Sequence, residues 1–412
     1  MSRKDAPLKK CSNIKEITMN ENVCTPVLNT GLRGVDVASS KICDVRGKEG
    51  KLIYRGYLIE GLAQKTSFEE TCFLLLYERL PKAQELTDFD QSLRSKRRIP
   101  ENLFPFLASL PRDMDPMDVL QMATPLLMQT DANVGKQGIE NTLYSAENLI
   151  AGLPTITAAW DRIRNNLDPV APDNNLNHAA NFLYMLNGEK PDEETAHFFD
   201  VSLVLHAEHS FNASTFTARQ VASTKAHIYA AISAAIGSLS GALHGGANVR
   251  VMKMLKEIKT IDKIDAYING VLDEGGLIMG LGHAVYQTDD PRAIIIDPMS
   301  KRMGELSGDT RWHELSKALE IKGKKAFMER KQREIFCNVD FYSASLFYAM
   351  GITTDLFSPI FAISRVSGWS AHVIEEQFAM AAPKPSLYRP GAAYVGDYCG
   401  PDECVYTEIE ER

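Results

Sequence analysis

From Ser67 onward, apolar residues recur at three- and four-residue spacings, and that recurrence restricts the chain to a mainly helical fold. Ser67, with Glu70 three positions later, predicts a helix start ahead of Cys72-Phe73-Leu74-Leu75-Leu76-Tyr77. Further helices are predicted over Met117–Gln129, Leu143–Ala151, His178–Met185 and Glu193–His206. The longest runs from about Thr217 to Leu243. Its larger apolar residues Val221, Ile228, Ile232, Ile236, Leu239 and Leu243 are spaced by threes, fours and one seven. Ala230, Ala231, Ala234, Ala235, Gly237 and Gly241 lie between them, so a neighbouring helix or subunit can approach closely. One more helix fits Ile363 to Met380. Only Gly31 to Tyr57 reads as short strands and turns, with Gly34, Gly47, Gly50 and Gly56 among apolar groups such as Leu52-Ile53-Tyr54.

At 412 residues the chain exceeds a typical single domain, so one large and one smaller domain are expected. A net charge of −8 argues against a general nucleic-acid or anionic-membrane binder. No stretch approaches the roughly 20 apolar residues of a membrane span. Met1 to Lys15 is mixed polar and basic and lacks the apolar core of a signal peptide. The seven cysteines (Cys11, Cys24, Cys43, Cys72, Cys337, Cys399 and Cys404) show no metal-ligand spacing and are odd in number. Free thiols, and hence a cytoplasmic location, are expected.

Three segments set an ionisable side chain among glycines or small residues. In Gly241-Ala242-Leu243-His244-Gly245-Gly246-Ala247-Asn248 the helical pattern stops at the paired glycines, and His244 can face a pocket from the turn. The plainer reading is a histidine that complements a helix dipole. In Gly280-Leu281-Gly282-His283-Ala284-Val285-Tyr286 the glycines admit close backbone approach, and Arg292, nine positions on, offers a guanidinium fork to a carboxylate. The plainer reading is a Gly-rich turn with a surface pair of Asp290 and Arg292. In Asn338-Val339-Asp340-Phe341-Tyr342-Ser343 an aspartate flanked by Val339 and Phe341 can be desolvated into a better base, or can simply cap the following helix. A zinc site from His206, His209 and His244 lacks any His-Glu-x-x-His pattern, so no metal is expected.

Taken in order, these segments resemble the citrate synthase family. The similarity runs from about Gly31 to Gly396. It is most specific at His206–Ala218 (HAEHSFNASTFTA), Leu243–Asn248 (LHGGAN), Gly282–Tyr286 (GHAVY) with Asp290–Arg292 (DPR), Asn338–Ser343 (NVDFYS) and Ala362–Trp369 (AISRVSGW). The resemblance implies a two-domain, all-helical fold with a small N-terminal β element. Residues 1–246 would form the first part of the large domain, 247–352 the small domain and 353–412 the return to the large one. It implies a homodimer, closure on an oxoacid, and condensation of acetyl-CoA with oxaloacetate to citrate and CoA. His244, His283 and Asp340 would be catalytic. His209, Arg292 and Arg365 would hold the oxoacid, with Arg389 supplied to the partner's site. No cofactor is implied, because the coenzyme A thioester is a substrate.

Two other outcomes stay open at this level. A 2-methylcitrate synthase would take propionyl-CoA, one methyl larger. A non-catalytic oxoacid-binding paralogue would be expected to have lost Asp340 or His244, and both are present. The chain departs from many bacterial relatives at Ala284 and Gln287, where basic residues are common, and Asp289 and Asp290 make this loop acidic. Lys322, Lys324, Lys325, Arg330, Lys331 and Arg333 could compensate toward the coenzyme A phosphates, or form a solvated helix face. Cys337 replaces a proline common before the NVD motif, and Gly391 replaces a polar or basic residue.

Overall fold

The computed structural model describes residues 31–32, 34–283, 285–393 and 405–412. Met1–Lys15, Ala284, Cys11, Cys24, Cys399 and Cys404 lie outside the described residues. Ala38–Tyr388 form one compact unit; the described residues within 1–37 and 389–412 form a second. In the second unit Ile409–Glu411 make one 3-10 turn, and the Arg412 guanidinium lies 5.3 Å from the Tyr406 ring centre. The fold is mainly α: sixteen α-helices stand among the described residues beside one small sheet.

That sheet is antiparallel, in the order β1 (Cys43–Arg46), β2 (Lys51–Tyr54), β3 (Tyr57–Leu58). Cys43 pairs with Tyr54 and Ile53 with Leu58. Its position matters more than its size. Gly47 in the β1–β2 turn accepts a hydrogen bond from the Gln287 amide at 2.9 Å, and a Cβ there would lie 2.1 Å from the Val285 carbonyl oxygen. The glycine lets the turn sit directly under the loop that follows His283.

The helical expectations hold with instructive shifts. Ser67 caps the Phe68–Tyr77 helix, its side chain accepting from the Glu70 amide. Glu193–His206 has the predicted bounds. The predicted Leu143–Ala151 helix extends to Ile139–Arg164 and carries Pro154 inside it. Met117–Gln129 divides into Pro116–Ala123 and a 3-10 segment, Thr124–Thr130, that has proline in its first turn. The single helix predicted over Thr217 to Leu243 is two, Ala213–Ser223 and Ile228–Ser240. Lys225 turns left-handed between them (φ 63°), and the His227 side chain caps the second by accepting from the Ala230 amide. The seven-residue gap between Val221 and Ile228 marks this break.

Phe357–Gln377 is the central helix of the Ala38–Tyr388 unit. It packs on Ile139–Arg164, Ala213–Ser223, Ile228–Ser240, Phe68–Tyr77 and Glu193–His206. Ile363, Val366, Trp369 and Val373 are fully buried on it, and so are Arg365, His372 and Glu375. A helix covered on all sides is normally apolar throughout, so these ionisable groups require partners. Residues 247–349 supply a second group of helices. Val339–Ala349 packs on Pro291–Ser307, Ala247–Ile258 and Arg311–Lys331. Pro291–Ser307 also reaches Ile59–Lys65 and Glu193–His206.

Candidate active site

A cavity of about 320 Å³ opens in the Ala38–Tyr388 unit, and His209, His244, His283, Arg292, Asp340 and Arg365 all line it. Leu239, Val339 and Phe361 give it an apolar wall. Six of the seven site residues predicted from sequence therefore converge. The seventh, Arg389, is an exposed residue of the other unit with no ion pair or hydrogen bond among the described residues.

Two short chain segments bring His283 and Asp340 to the same cavity. Leu281 and Cys337 form an isolated antiparallel bridge, with the Gly282 amide donating to Phe336 O at 2.7 Å and the Asn338 amide to Gly280 O at 3.0 Å. Gly280 and Gly282 adopt φ of 81° and 97°, and a Cβ on Gly280 would meet the Phe341 ring at 2.5 Å. Asn338, rather than Asp340, caps the Val339–Ala349 helix; its side chain accepts from the Asp340 amide and donates to Gly282 O. That frees the Asp340 carboxylate for the cavity. Burial raises its pKa to about 6, against the pull of Arg292.

Backbone amides fix the tautomer of each catalytic histidine candidate. A main-chain N–H can only donate. The Ser214 amide points at His244 Nε2 (3.1 Å), so that nitrogen accepts and Nδ1 carries the proton. Ser214 Oγ, 2.8 Å from the same nitrogen, accepts from Trp369 Nε1 and donates to Asn212 Oδ1. At His283 the Val285 and Tyr286 amides both donate to Nδ1 (2.9 and 3.1 Å), leaving the proton on Nε2. Burial, with Arg365 near His244 and Arg292 near His283, lowers both pKa values to about 4. Both rings are thus neutral N–H donors at neutral pH, with opposite nitrogens protonated.

The cations are arranged for an anion. Arg292 is buried and clamped by Asp290, through Nε to Oδ1 (3.0 Å) and Nη2 to Oδ2 (2.7 Å). The pair is internal rather than the surface pair considered from sequence. Burial alone would raise the Asp290 pKa, and the contact with Arg292 outweighs it and holds that carboxyl below its usual range. Arg365 donates from Nε to His206 O at 2.7 Å, while its buried Nη2 has no partner among the described residues. His209 Nε2 is likewise buried and unpartnered. Burial and then Arg292 and Arg365 push its pKa well down, so the ring is neutral. His283 lies 5.6 Å from it and Tyr286 5.7 Å, ring centre to ring centre.

The acidic loop proves to be internally neutralised. Lys324 holds Asp289 at 2.8 Å, and Asp290 belongs to Arg292. Lys322, Lys325 and Arg330 are engaged with Asp265, Glu329 and Asp273. Lys331 and Arg333 remain without an ion pair among the described residues. Asp289, Glu320 and Cys337 stand close enough together to hold a cation, but Lys324 already donates to both carboxylates. Sequence reading missed Ser214 and Asn212 as the orienters of His244, although both stand inside the HSFNAST stretch. Hydroxyl and amide side chains gave no signal separate from helix capping there.

A mainly helical fold with two neutral imidazole donors, a carboxyl of raised pKa and two buried guanidiniums around one cavity fits an enzyme that does acid–base chemistry on a small anion. Residues 31–391 match the family described as citrate synthase, C-terminal domain. The chain is 41% identical over 390 residues to a citrate synthase of Haloferax volcanii, covering 93% of this chain and 99% of that one. It is 38% identical over 371 residues to a 2-methylcitrate synthase of Shewanella oneidensis, covering 89% and 94%. A citrate synthase from the thermophilic archaeon Thermoplasma acidophilum, solved as a ternary complex with carboxymethyl coenzyme A and oxaloacetate, superposes with a TM-score of 0.83. That match has 29% identity and covers 94% of this chain and all of the other. The chain belongs to the citrate synthase family.

Proposed function

We propose that this protein condenses acetyl-CoA with oxaloacetate and water to give citrate and free CoA. The observation that carries the reading is the pair of neutral histidines with opposite tautomers that line one cavity with Asp340. The α-proton of a thioester is very weakly acidic, so a base and an oxyanion partner must act together. Asp340, with a pKa near 6, is mostly ionised at pH 7 yet more basic than an ordinary aspartate, and takes that proton. His244 donates Nδ1–H to the thioester oxygen as the enol forms. The enol carbon adds to the ketone of oxaloacetate, and His283 donates Nε2–H to the ketone oxygen, which becomes the alcohol. Water then cleaves the citryl thioester, releasing CoA. A neutral donor serves better than an imidazolium here, because a charged ring would be a poor partner to retain beside Arg292 and Arg365.

Arg292, Arg365 and His209 take the two carboxylates of oxaloacetate, and Arg389 serves the site of a second copy in a homodimer. Residues 247–352 act as the small domain that closes on the oxoacid. No metal or prosthetic group enters the reaction. The protein acts in the cytoplasm, a reading supported by the free Cys43, Cys72 and Cys337 among the described residues. No described helix is long and apolar enough to cross a membrane, and nothing in the charge balance favours nucleic acid.

Thiol release from acetyl-CoA and propionyl-CoA, each with and without oxaloacetate, tests the reading. Turnover should require oxaloacetate and fall about 10²–10⁴-fold in Asp340→Asn. The relationship to a 2-methylcitrate synthase keeps propionyl-CoA as the second acyl donor, one methyl worth only about 1–3 kcal/mol. The acyl ratio decides between them. Absence of thiol release with either donor, in folded protein, would sink the proposal and favour a binding role.

A further inference from the structure

A buried carboxylate stands beside the dianion site and takes no part in the chemistry above. Glu208 is 0% exposed and precedes His209 in the chain. Its main chain is pinned on both sides by Tyr54, whose hydroxyl donates to Glu208 O at 2.8 Å and lies 3.2 Å from the Glu208 amide. Its Oε1 is 3.1 Å from His372 Nε2. Arg219 Nη1, which can only donate, lies 3.0 Å from His372 Nδ1, so the ring proton is on Nε2 and is given to Glu208. Arg219 is held in turn by Glu375 and Glu376 (2.7 Å each), and Glu376 accepts from the Tyr388 hydroxyl.

Glu208 Oε2 and Arg365 Nη2 are both buried and both lack a partner among the described residues. The two groups have opposite charge and are near enough that Glu208 favours the charged form of Arg365, yet no ion pair joins them. His372 and Gly368 follow Arg365 on the same helix, and a Cβ on Gly368 would lie 2.2 Å from Glu208 Oε2. Buried ionic networks of this kind seldom add net stability over well-packed apolar residues. Stability alone is therefore a poor reason for this one.

We propose that His372 holds Glu208 away from Arg365, so that the guanidinium stays free for the oxoacid while the nearby negative charge limits how tightly the dianion binds. Glu208 and His372 are positioning residues that set oxoacid affinity. The inference rests on the reading of Arg365 as a carboxylate ligand.

The test is steady-state kinetics with acetyl-CoA and oxaloacetate, together with calorimetric oxaloacetate binding, on three variants of the full chain. Glu208→Gln keeps an acceptor for His372 and removes the charge; the oxaloacetate KM should fall on the order of tenfold, with the acetyl-CoA KM unmoved. His372→Phe keeps a ring and removes the donor; Glu208 then swings to Arg365, and the oxaloacetate KM should rise by a similar factor with kcat within about twofold of wild type. The double variant should follow Glu208→Gln, because without the charge His372 has nothing to restrain. A structural lesion would instead lower kcat and add in the double variant. Unchanged oxaloacetate KM in folded Glu208→Gln overturns the proposal. If that variant does not fold, unchanged oxaloacetate KM in His372→Phe does so. A wild-type protein that neither binds nor turns over oxaloacetate overturns the dianion reading, and this inference with it.

Discussion

At the scale of single residues, the site works by keeping charge off its donors and on its base. His244 and His283 titrate near 4, and Asp340 near 6. A base is competent only when deprotonated, so kcat/KM should rise tenfold per pH unit below about 6 and level off above it. Above about pH 5 the histidines are already largely neutral and contribute no second limb there. A pH profile of kcat/KM for acetyl-CoA at saturating oxaloacetate checks this. An acid limb near 4, the ordinary aspartate range, would show that burial does not tune Asp340. In the sequence His244 and His283 stood out among glycines and Asp340 between Val339 and Phe341, but each also had a plainer reading, and only the family resemblance gave all three a role. What orients them was less legible. The tautomers depend on the amides of Ser214, Val285 and Tyr286, and a backbone amide is present at every non-proline position.

At the scale of elements, the sequence announced the helices well and their ends poorly. Glu193–His206 was readable because apolar spacing and Asp192, whose side chain caps the helix, agree. The Val221 to Ile228 gap was visible, but Ala222, Lys225 and Ala226 within it are helix-compatible, so the break at Lys225 was hidden. Pro154 argues locally against a helix that tertiary burial nonetheless carries through. Least legible was the role of the β-hairpin. Nothing in Gly47 announces that it supports a loop 240 residues away. Gly47→Ala should therefore behave as an active-site variant made at a distance. The added methyl meets the Val285 carbonyl oxygen, and Val285 supplies one of the two amides that fix His283. Overpacking of this size costs about 1–3 kcal/mol. The protein should melt a few degrees lower, and kcat should fall by more than tenfold with the acetyl-CoA KM little changed. A variant with a lowered melting temperature and wild-type kcat would show that the hairpin supports the fold without supporting His283.

At the scale of the whole molecule, burying so many ionisable groups leaves a signature in the dependence of stability on pH. His178 and His206 are lowered to about 3, His244 and His283 to about 4, and His209 well below its usual value, all first by burial. Unfolded, each binds a proton below about 6.5, so these five histidines favour the unfolded chain as pH falls from 6.5 toward 4. Raised carboxyls oppose them. Burial and Glu69 raise Asp200, and burial raises Asp340, Asp161 and Glu70, so the folded state holds their protons where the unfolded chain has lost them. Between pH 4.5 and 6 the five histidines outnumber these carboxyls, so the unfolded state binds more protons than the folded one and stability should rise with pH across that window. Above 6.5 the histidine contribution is complete; Asp200 still releases its proton, and toward pH 8.5 the unfolded chain also loses thiol protons that burial retains on Cys43, Cys72 and Cys337, so stability should then decline. Melting temperatures from pH 4.5 to 8.5 should climb steeply, peak near 6.5 to 7 and fall slowly afterwards. Asp200→Asn should flatten the slope between pH 7 and 8 and leave the acid rise in place. A peak below pH 5.5 would mean that the histidines are solvated and charged in the folded protein. The neutral donors on which the proposed chemistry depends would then be absent as well.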